Sequence, residues 1–306
     1  MKNKVSIIGA GLVGSTIAYS LIASQLTEEL ALIDINKNLS KSQAMDLQHS
    51  VPFWGYTEVK SGNYHDIKDS RVVIIACGVS QKTGETRLDL LKKNSEIVKE
   101  IMPRIFKENK SAVVIMVTNP VDILTNIAIK MFPQYKNQIF GSGTILDTAR
   151  FRFILGEKLS VDPKSLHAYI IGEHGDSEVP LWSRVMIGNT SLDKFKKIDK
   201  KEKEDLFGRA KNAAYAIIAG KQATYYAISA GVTYLVEAIL FDKKTVFTVS
   251  HTVDGKFGIK DVCLSLPMVV GEKGILRKID IQVSSKEKKL LKLSANKLKK
   301  AERDIR

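Results

Sequence analysis

Only two cysteines, Cys77 and Cys263, occur in 306 residues. That is too few for a disulfide framework, and their spacing holds no metal, so a reducing, cytoplasmic setting without a structural metal is expected. Equally missing are apolar runs of membrane-spanning length, internal repeats, low-complexity linkers, and zinc-finger or RNA-binding signatures. Acidic residues are short too: 33 against 47 Lys and Arg leave a formal net charge of +14. Such a balance suits nucleic acid, an anionic membrane face or small anionic substrates. Six lysines fall within residues 194–203, and nine Lys or Arg within 286–306, on what read as solvated helical faces. No aromatic platforms interleave with them, so neither nucleic acid nor membrane is expected as a partner, and a field that gathers small anions is.

One stretch imitates an export signal, because Lys2 and Lys4 precede an apolar run over residues 5–23. Three glycines inside that run argue for a strand, residues 5–8, and then a helix, with no export signal. Gly9, Gly11 and Gly14 form G-x-G-x-x-G between the two. The first glycine suits a tight turn, the second close approach of a pyrophosphate, and the third close packing of helix on strand, with phosphate at the helix N-terminus. A second buried strand, residues 29–33, ends at Asp34, 20 residues past Gly14. An acid there accepts both ribose hydroxyls and repels an extra 2′-phosphate, so NAD rather than NADP is expected. Gly9, Gly11, Leu12, Val13, Gly14 and Asp34 are the candidate cofactor residues.

Strands over residues 71–77 and 111–117 alternate with helical segments such as 89–107. Alternation of this kind argues for a parallel sheet wound on both faces, with ligands at the carboxyl ends of the strands. Gly78 and Asn119 fall at that edge, as does the polar loop 79–87, which reads equally as a surface connection or as a lid carrying Arg87 to a substrate oxygen. Further on, Ile-Gly-Glu-His-Gly-Asp-Ser at 171–177 sets His174 near glycines that leave its ring accessible, the setting of a general acid/base; an incidental histidine in a turn is the bland alternative.

Several longer motifs share an order and spacing. They are Gly9 to Gly14 with Asp34; Gln81, Lys82, Gly84, Glu85, Thr86, Arg87 and Leu88; Thr-Asn-Pro-Val-Asp at 118–122; Gly-Ser-Gly-Thr at 141–144 with Leu146, Asp147, Ala149, Arg150, Phe151 and Arg152; and Gly-Glu-His-Gly-Asp at 172–176. In these the chain closely resembles the lactate/malate dehydrogenase family, in its bacterial lactate form, over essentially its whole length. The resemblance implies a Rossmann-type doubly wound parallel sheet over residues 1–143, binding NAD, followed by an α+β substrate-binding and catalytic domain over 144–306.

Roles follow from the same match. His174 donates a proton to the substrate carbonyl, Asp147 holds its ring and raises its pKa, and Arg150 grips the substrate carboxylate through two parallel bonds. Read alone, Asp147 and Arg150 would be an i,i+3 surface ion pair. Arg87 polarises the reacting carbonyl, Asn119 bonds the same oxygen and precedes a possible cis Pro120, Thr224 walls the substrate pocket, and Ile228 lies under the nicotinamide. Gln81 stands where malate dehydrogenases place an arginine for a second carboxylate, which points to pyruvate and L-lactate. Malate dehydrogenase is the rival reading. A non-catalytic dinucleotide-binding protein is another, disfavoured because Arg87, Asp147, Arg150 and His174 are all present.

With a first strand beginning at Val5, no long N-terminal subunit-joining arm is expected. The resemblance also implies a homotetramer, a dimer being the alternative, and a possible fructose 1,6-bisphosphate effector site at Arg152 and His167. In the second half the pattern predicts a strand at 167–171, helices at 202–219, ending at Gly220, and at 223–241, and strands at 244–252 and 262–270, the last interrupted by Pro267. A final helix carries Leu291, Ala295, Leu298 and Ile305 on one face.

Overall fold

A computed structural model describes residues 2–79 and 86–305; the Gln81 and Lys82 positions lie outside the described residues. The first half alternates β1 (Lys4–Ile8), α1 (Leu12–Ala23), β2 (Glu29–Ile33), α2 (Lys37–Ser50), β3 (Glu58–Gly62), β4 (Val72–Ile75), α3 (Arg87–Glu108), β5 (Val113–Met116), α4 (Val121–Met131) and β6 (Ile139–Gly141). Strands such as Val-Val-Ile-Ile are apolar throughout because helices cover both faces, and every residue of β1, β4 and β5 is buried. They pair in parallel in the order β3-β2-β1-β4-β5-β6. The order reverses between β1 and β4, which opens a crevice at the carboxyl ends of the strands.

In the second half, α5 (Ile145–Leu159) leads to the short strands β7 (Leu166–His167), β8 (Ile170–Gly172), β9 (Glu178–Pro180), β10 (Met186–Ile187) and β11 (Thr190–Ser191). Helices α6 (Leu192–Phe195), α7 (Lys200–Lys221) and α8 (Tyr226–Leu240), strands β12 (Thr245–Thr252), β13 (Cys263–Gly271) and β14 (Gly274–Lys278), and α9 (Ser285–Arg303) complete it. The parallel sheet does not stop at β6. Antiparallel β12 continues it, with Ser250 opposite Gly141, followed by β13, β8 and β9, while β14 also pairs with β13. A large apolar core runs under both halves, and a second one, built on Phe151, Leu155 and Leu166, lies behind α5.

Four local expectations change. The strand at 167–171 is two strands: His167 pairs with Met186 in a separate three-stranded sheet, and Ile170 passes into the main one. Helix α7 runs through Gly220, where a Cβ would meet nothing within 4 Å, and ends at Gln222 with φ +68°. Pro267 does not interrupt β13. Its carbonyl accepts from Ile279 N–H (3.0 Å), so its ring nitrogen faces the side where β14 has already ended and no ladder bond to β12 is lost. Ile305 lies past the end of α9, whose buried face is Glu287, Leu291, Ser294, Ala295, Leu298 and Glu302. Among the described residues no helix is long and apolar enough to cross a membrane, and no cluster of His, Cys, Asp or Glu is placed to hold a metal ion.

Candidate active site

The glycine turn after β1 has its geometry forced by contact. A Cβ on Gly14 would sit 1.8 Å from the Gly9 carbonyl oxygen, and one on Gly9, at φ +107°, would sit 2.5 Å from Cys77 N. Gly11 is the reverse case, with nothing within 4 Å of its Cβ position. That opening faces the first turn of α1, which has no side-chain cap, so its leading N–H groups are available to an anion. Asp34, at the end of β2, accepts from Ala10 N–H (2.7 Å) and Asn36 N–H (2.8 Å), tying the second strand to the glycine turn. A cleft of about 620 Å³ runs along this edge, lined among others by Gly9, Gly11, Asp34, Cys77, Gly78 and Val79. Lys37, also at the cleft, donates to the Gly62 carbonyl (2.8 Å), so its ammonium is anchored away from Asp34. Burial pushes the Cys77 thiol up to about 12, leaving an inert neutral side chain. These residues fit a dinucleotide with an unmodified adenosine ribose.

The second cluster sits on α5 and the connection from β8 to β9. Spacing of three puts Asp147 and Arg150 on one helical face, and Arg150 Nη1 donates to Asp147 Oδ1 (3.1 Å). The other Asp147 oxygen lies 2.5 Å from His174 Nδ1. Asp147 is 7% exposed and His174 24%, so the pair works largely out of water with the ring still reachable. Burial alone would lower the His174 pKa, but the adjoining Asp147 carboxylate outweighs it and raises the ring to about 9. Burial would likewise raise Asp147, and the facing imidazolium holds it below its ordinary value instead. The arrangement is a proton donor fixed by a buried carboxylate, with a guanidinium beside it.

Backbone clamps set these distances. Ile170 of β8 is gripped by two threonines, one just before α5 and one on it: Thr144 Oγ1 donates to its carbonyl (2.6 Å) and Thr148 Oγ1 accepts its N–H (3.0 Å). The histidine loop is then braced on three sides. Asp122 of α4 accepts His174 N–H (2.7 Å) and the Ser250 hydroxyl of β12 (2.5 Å). From α9, Ser294 Oγ accepts Glu173 N–H (2.9 Å) and Lys297 pairs with the Glu173 carboxylate (3.2 Å). From α7, Lys211 donates to the Asp176 carbonyl and Tyr215 to its carboxylate, both at 2.7 Å. Burial pushes Asp122 up to about 6, even with hydrogen bonds from Ser250 and His174 favouring its anion.

The other expected residues lie on several different elements. Gly78 and Asn119 follow β4 and β5 at the cleft edge: Asn94 donates to the Asn119 carbonyl (2.8 Å), a Cβ on Gly78 would strike Thr118 at 2.7 Å, and the Asn119–Pro120 bond is cis. Arg87 opens α3 directly after the Thr86 cap, its side chain lying outside what is described, and Gln81 lies outside the described residues. Thr224 is half-buried in the turn before α8; Ile228 packs partly against the core on the first turn of α8. Leu12 is exposed and Val13 packs on the core. Arg152 donates to the Ala168 carbonyl (2.9 Å) and lies over the Tyr169 ring, beside an exposed His167. Sequence reasoning missed Asp122, Ser250, the two threonines and Glu178. Asp122 reads as an ordinary acid in a helix first turn, and period-two alternation along β9 would turn Glu178 away from the side that buries Val179, so nothing local marks it as buried.

Comparison with known proteins gives one answer along the whole chain. Residues 3–141 match the family model described as the lactate/malate dehydrogenase NAD binding domain, and residues 144–305 the model of the lactate/malate dehydrogenase alpha/beta C-terminal domain. An L-lactate dehydrogenase of Acetivibrio thermocellus is 44% identical over 97% of this chain and 95% of its own length. L-lactate dehydrogenase 1 of Clostridium acetobutylicum is 43% identical over 97% of each chain. Among solved structures, a minor L-lactate dehydrogenase of Enterococcus mundtii in its ligand-bound form superposes with a TM-score of 0.95 at 38% identity, covering 100% of this chain and 99% of that one.

Proposed function

Because the chain belongs to the lactate/malate dehydrogenase family, we propose that it interconverts pyruvate and L-lactate with NAD, His174 serving as general acid/base. The observation that carries the proposal is the Asp147–His174 contact of 2.5 Å with Arg150 bonded to the same carboxylate. Since Asp147 occupies Nδ1, the proton available to substrate is on Nε2 of the imidazolium. With a pKa of about 9 the ring is charged at neutral pH, as a donor to a ketone oxygen must be. Arg150 would receive the substrate carboxylate through its remaining N–H groups and so orient the carbonyl toward His174. NAD, held at Gly9 to Gly14 and Asp34, would supply or accept the hydride.

Gln81 and Arg87 enter through the family match. A neutral side chain at Gln81 leaves a second substrate carboxylate without a partner, which costs roughly several kcal/mol on enclosure and favours pyruvate over oxaloacetate. Arg87 would stabilise charge developing on the carbonyl oxygen, with Asn119 beside it; Thr224 and Ile228 would wall the pocket and the nicotinamide site. The same match supports a homotetramer, a cytoplasmic location, and a division into domains at residues 143 and 144. It also supports fructose 1,6-bisphosphate binding at Arg152 and His167, which an activation assay with the sugar bisphosphate tests directly. Oxidation of NADH measured in parallel with pyruvate and oxaloacetate tests the main reading. A higher kcat/KM for oxaloacetate would overturn the substrate assignment, and turnover of neither would overturn the function.

A further inference from the structure

Glu178 opens β9 four residues after His174, and its N–H returns to the Gly175 carbonyl (3.1 Å), closing the loop that carries the histidine. The side chain is buried, at 8% exposure, and its Oε1 has no hydrogen-bond partner among the described residues. Burying a carboxyl oxygen unpaired opposes folding, and the paired strand β8 (Ile-Ile-Gly) offers it nothing polar in return. Its electrostatic surroundings are instead the catalytic cluster: Asp147 and Arg150 from α5, His174 from the loop, and Lys211 from α7. Helix α9, which packs along β9, contributes Glu287, already bonded by Ser183 and Ser284, and Lys297, paired with Glu173.

We propose that Glu178 is a positioning residue for the proton chemistry, a buried acid whose charge, once formed, keeps the His174 ring protonated further into the alkaline range. Burial first, and then the Asp147 carboxylate, push Glu178 up to about 8, while the His174 imidazolium opposes the rise. Near pH 6 it is neutral and adds nothing to the site. As pH rises through about 8 it becomes an anion, and proton loss from His174 is opposed by that new charge. The inference rests on the reading of His174 as the proton donor.

The test is the pH dependence of kcat/KM for Glu178→Gln and Glu178→Ala, with pyruvate and NADH in one direction and L-lactate and NAD in the other. The alkaline limb of reduction and the acid limb of oxidation should both move to lower pH by roughly half a unit, a threefold change in the His174 proton equilibrium. A residue that only fills space would scale both profiles without moving either limb, and that result overturns the proposal. Titration of the His174 ring by NMR, in a chain with five histidines, reads the same shift without turnover. Should the Gln variant not fold, the Ala variant decides by the same criterion. A wild type that turns over neither substrate would overturn the function, whereas unmoved limbs in an active enzyme overturn only the role of Glu178.

Discussion

Replacing Asp147 by Asn keeps the shape of the helix face while removing the charge that holds the imidazolium. With Asp147 the His174 ring sits at about 9, so at pH 7.5 nearly every molecule is protonated. Without it the largest raising influence is gone, the smaller ones of Asp122 and Glu178 remain against burial, and the ring falls back toward the ordinary histidine value of about 6.5, where roughly one molecule in ten is protonated at that pH. The difference of about 2.5 units corresponds to about 3 kcal/mol of lost coupling. Reduction of pyruvate at pH 7.5 therefore drops about tenfold from protonation alone. Its alkaline limb moves down by about 2.5 units, while NADH affinity, measured by fluorescence, stays the same because the cofactor residues are untouched. A raised histidine pKa also stabilises the fold: the effect is complete below the unfolded value of about 6.5 and is lost as pH rises through about 9. Denaturant unfolding of wild type should thus lose stability across pH 7–9 by an amount the Asn variant does not show. An alkaline limb left in place by Asp147→Asn would refute the ion-pair reasoning.

Three further outcomes are expected. His174→Ala should leave NADH binding nearly intact while turnover collapses; undiminished turnover would remove His174 from the chemistry. Gln81→Arg should shift the kcat/KM ratio toward oxaloacetate by at least tenfold, about 1.4 kcal/mol, and an unchanged ratio would defeat the charge argument. Asp122→Ala strands the His174 N–H and the Ser250 hydroxyl, so unfolding free energy should fall by about 1–3 kcal/mol, with kcat hit harder than NADH affinity; Asp122→Asn should recover most of the stability.

Periodicity and short glycine spacings made the first half readable, because each strand, turn and helix there is decided within about ten residues and both faces of the sheet are covered alike. The second half was harder for a definite reason. Whether residues 167–171 form one strand or two is decided by Thr144 before α5, Thr148 on it and Met186 on β10, none of which lies nearby in sequence. Pro267 and Gly220 carry strong local signals that their surroundings neutralise, one because its missing donor faces the end of a neighbouring strand, the other because helix α7 tolerates one weak position. At the site, Asp147 and His174 stand 27 residues apart, and Asp122 and Ser250 128 apart. The first pair was found because a family pattern names it, whereas Asp122 and Glu178, to which no role had been given, needed coordinates.

The seam between the halves bears on how such chains can be recombined. Gly141 meets Ser250 across β6 and β12, and a Cβ on Gly143 would lie 2.4 Å from Ser265 Oγ and 2.6 Å from Ser250 N. A cut after residue 143 therefore severs a covalent link but leaves this close packing across the seam in place. Grafting a foreign nucleotide-binding half onto residues 144–306 would need β12 and β13 to be refitted along with it, since Asp122 from the first half reaches Ser250 and His174 in the second. The half that binds the nucleotide is therefore not a unit that exchanges cleanly, because part of the bracing of the histidine loop belongs to it.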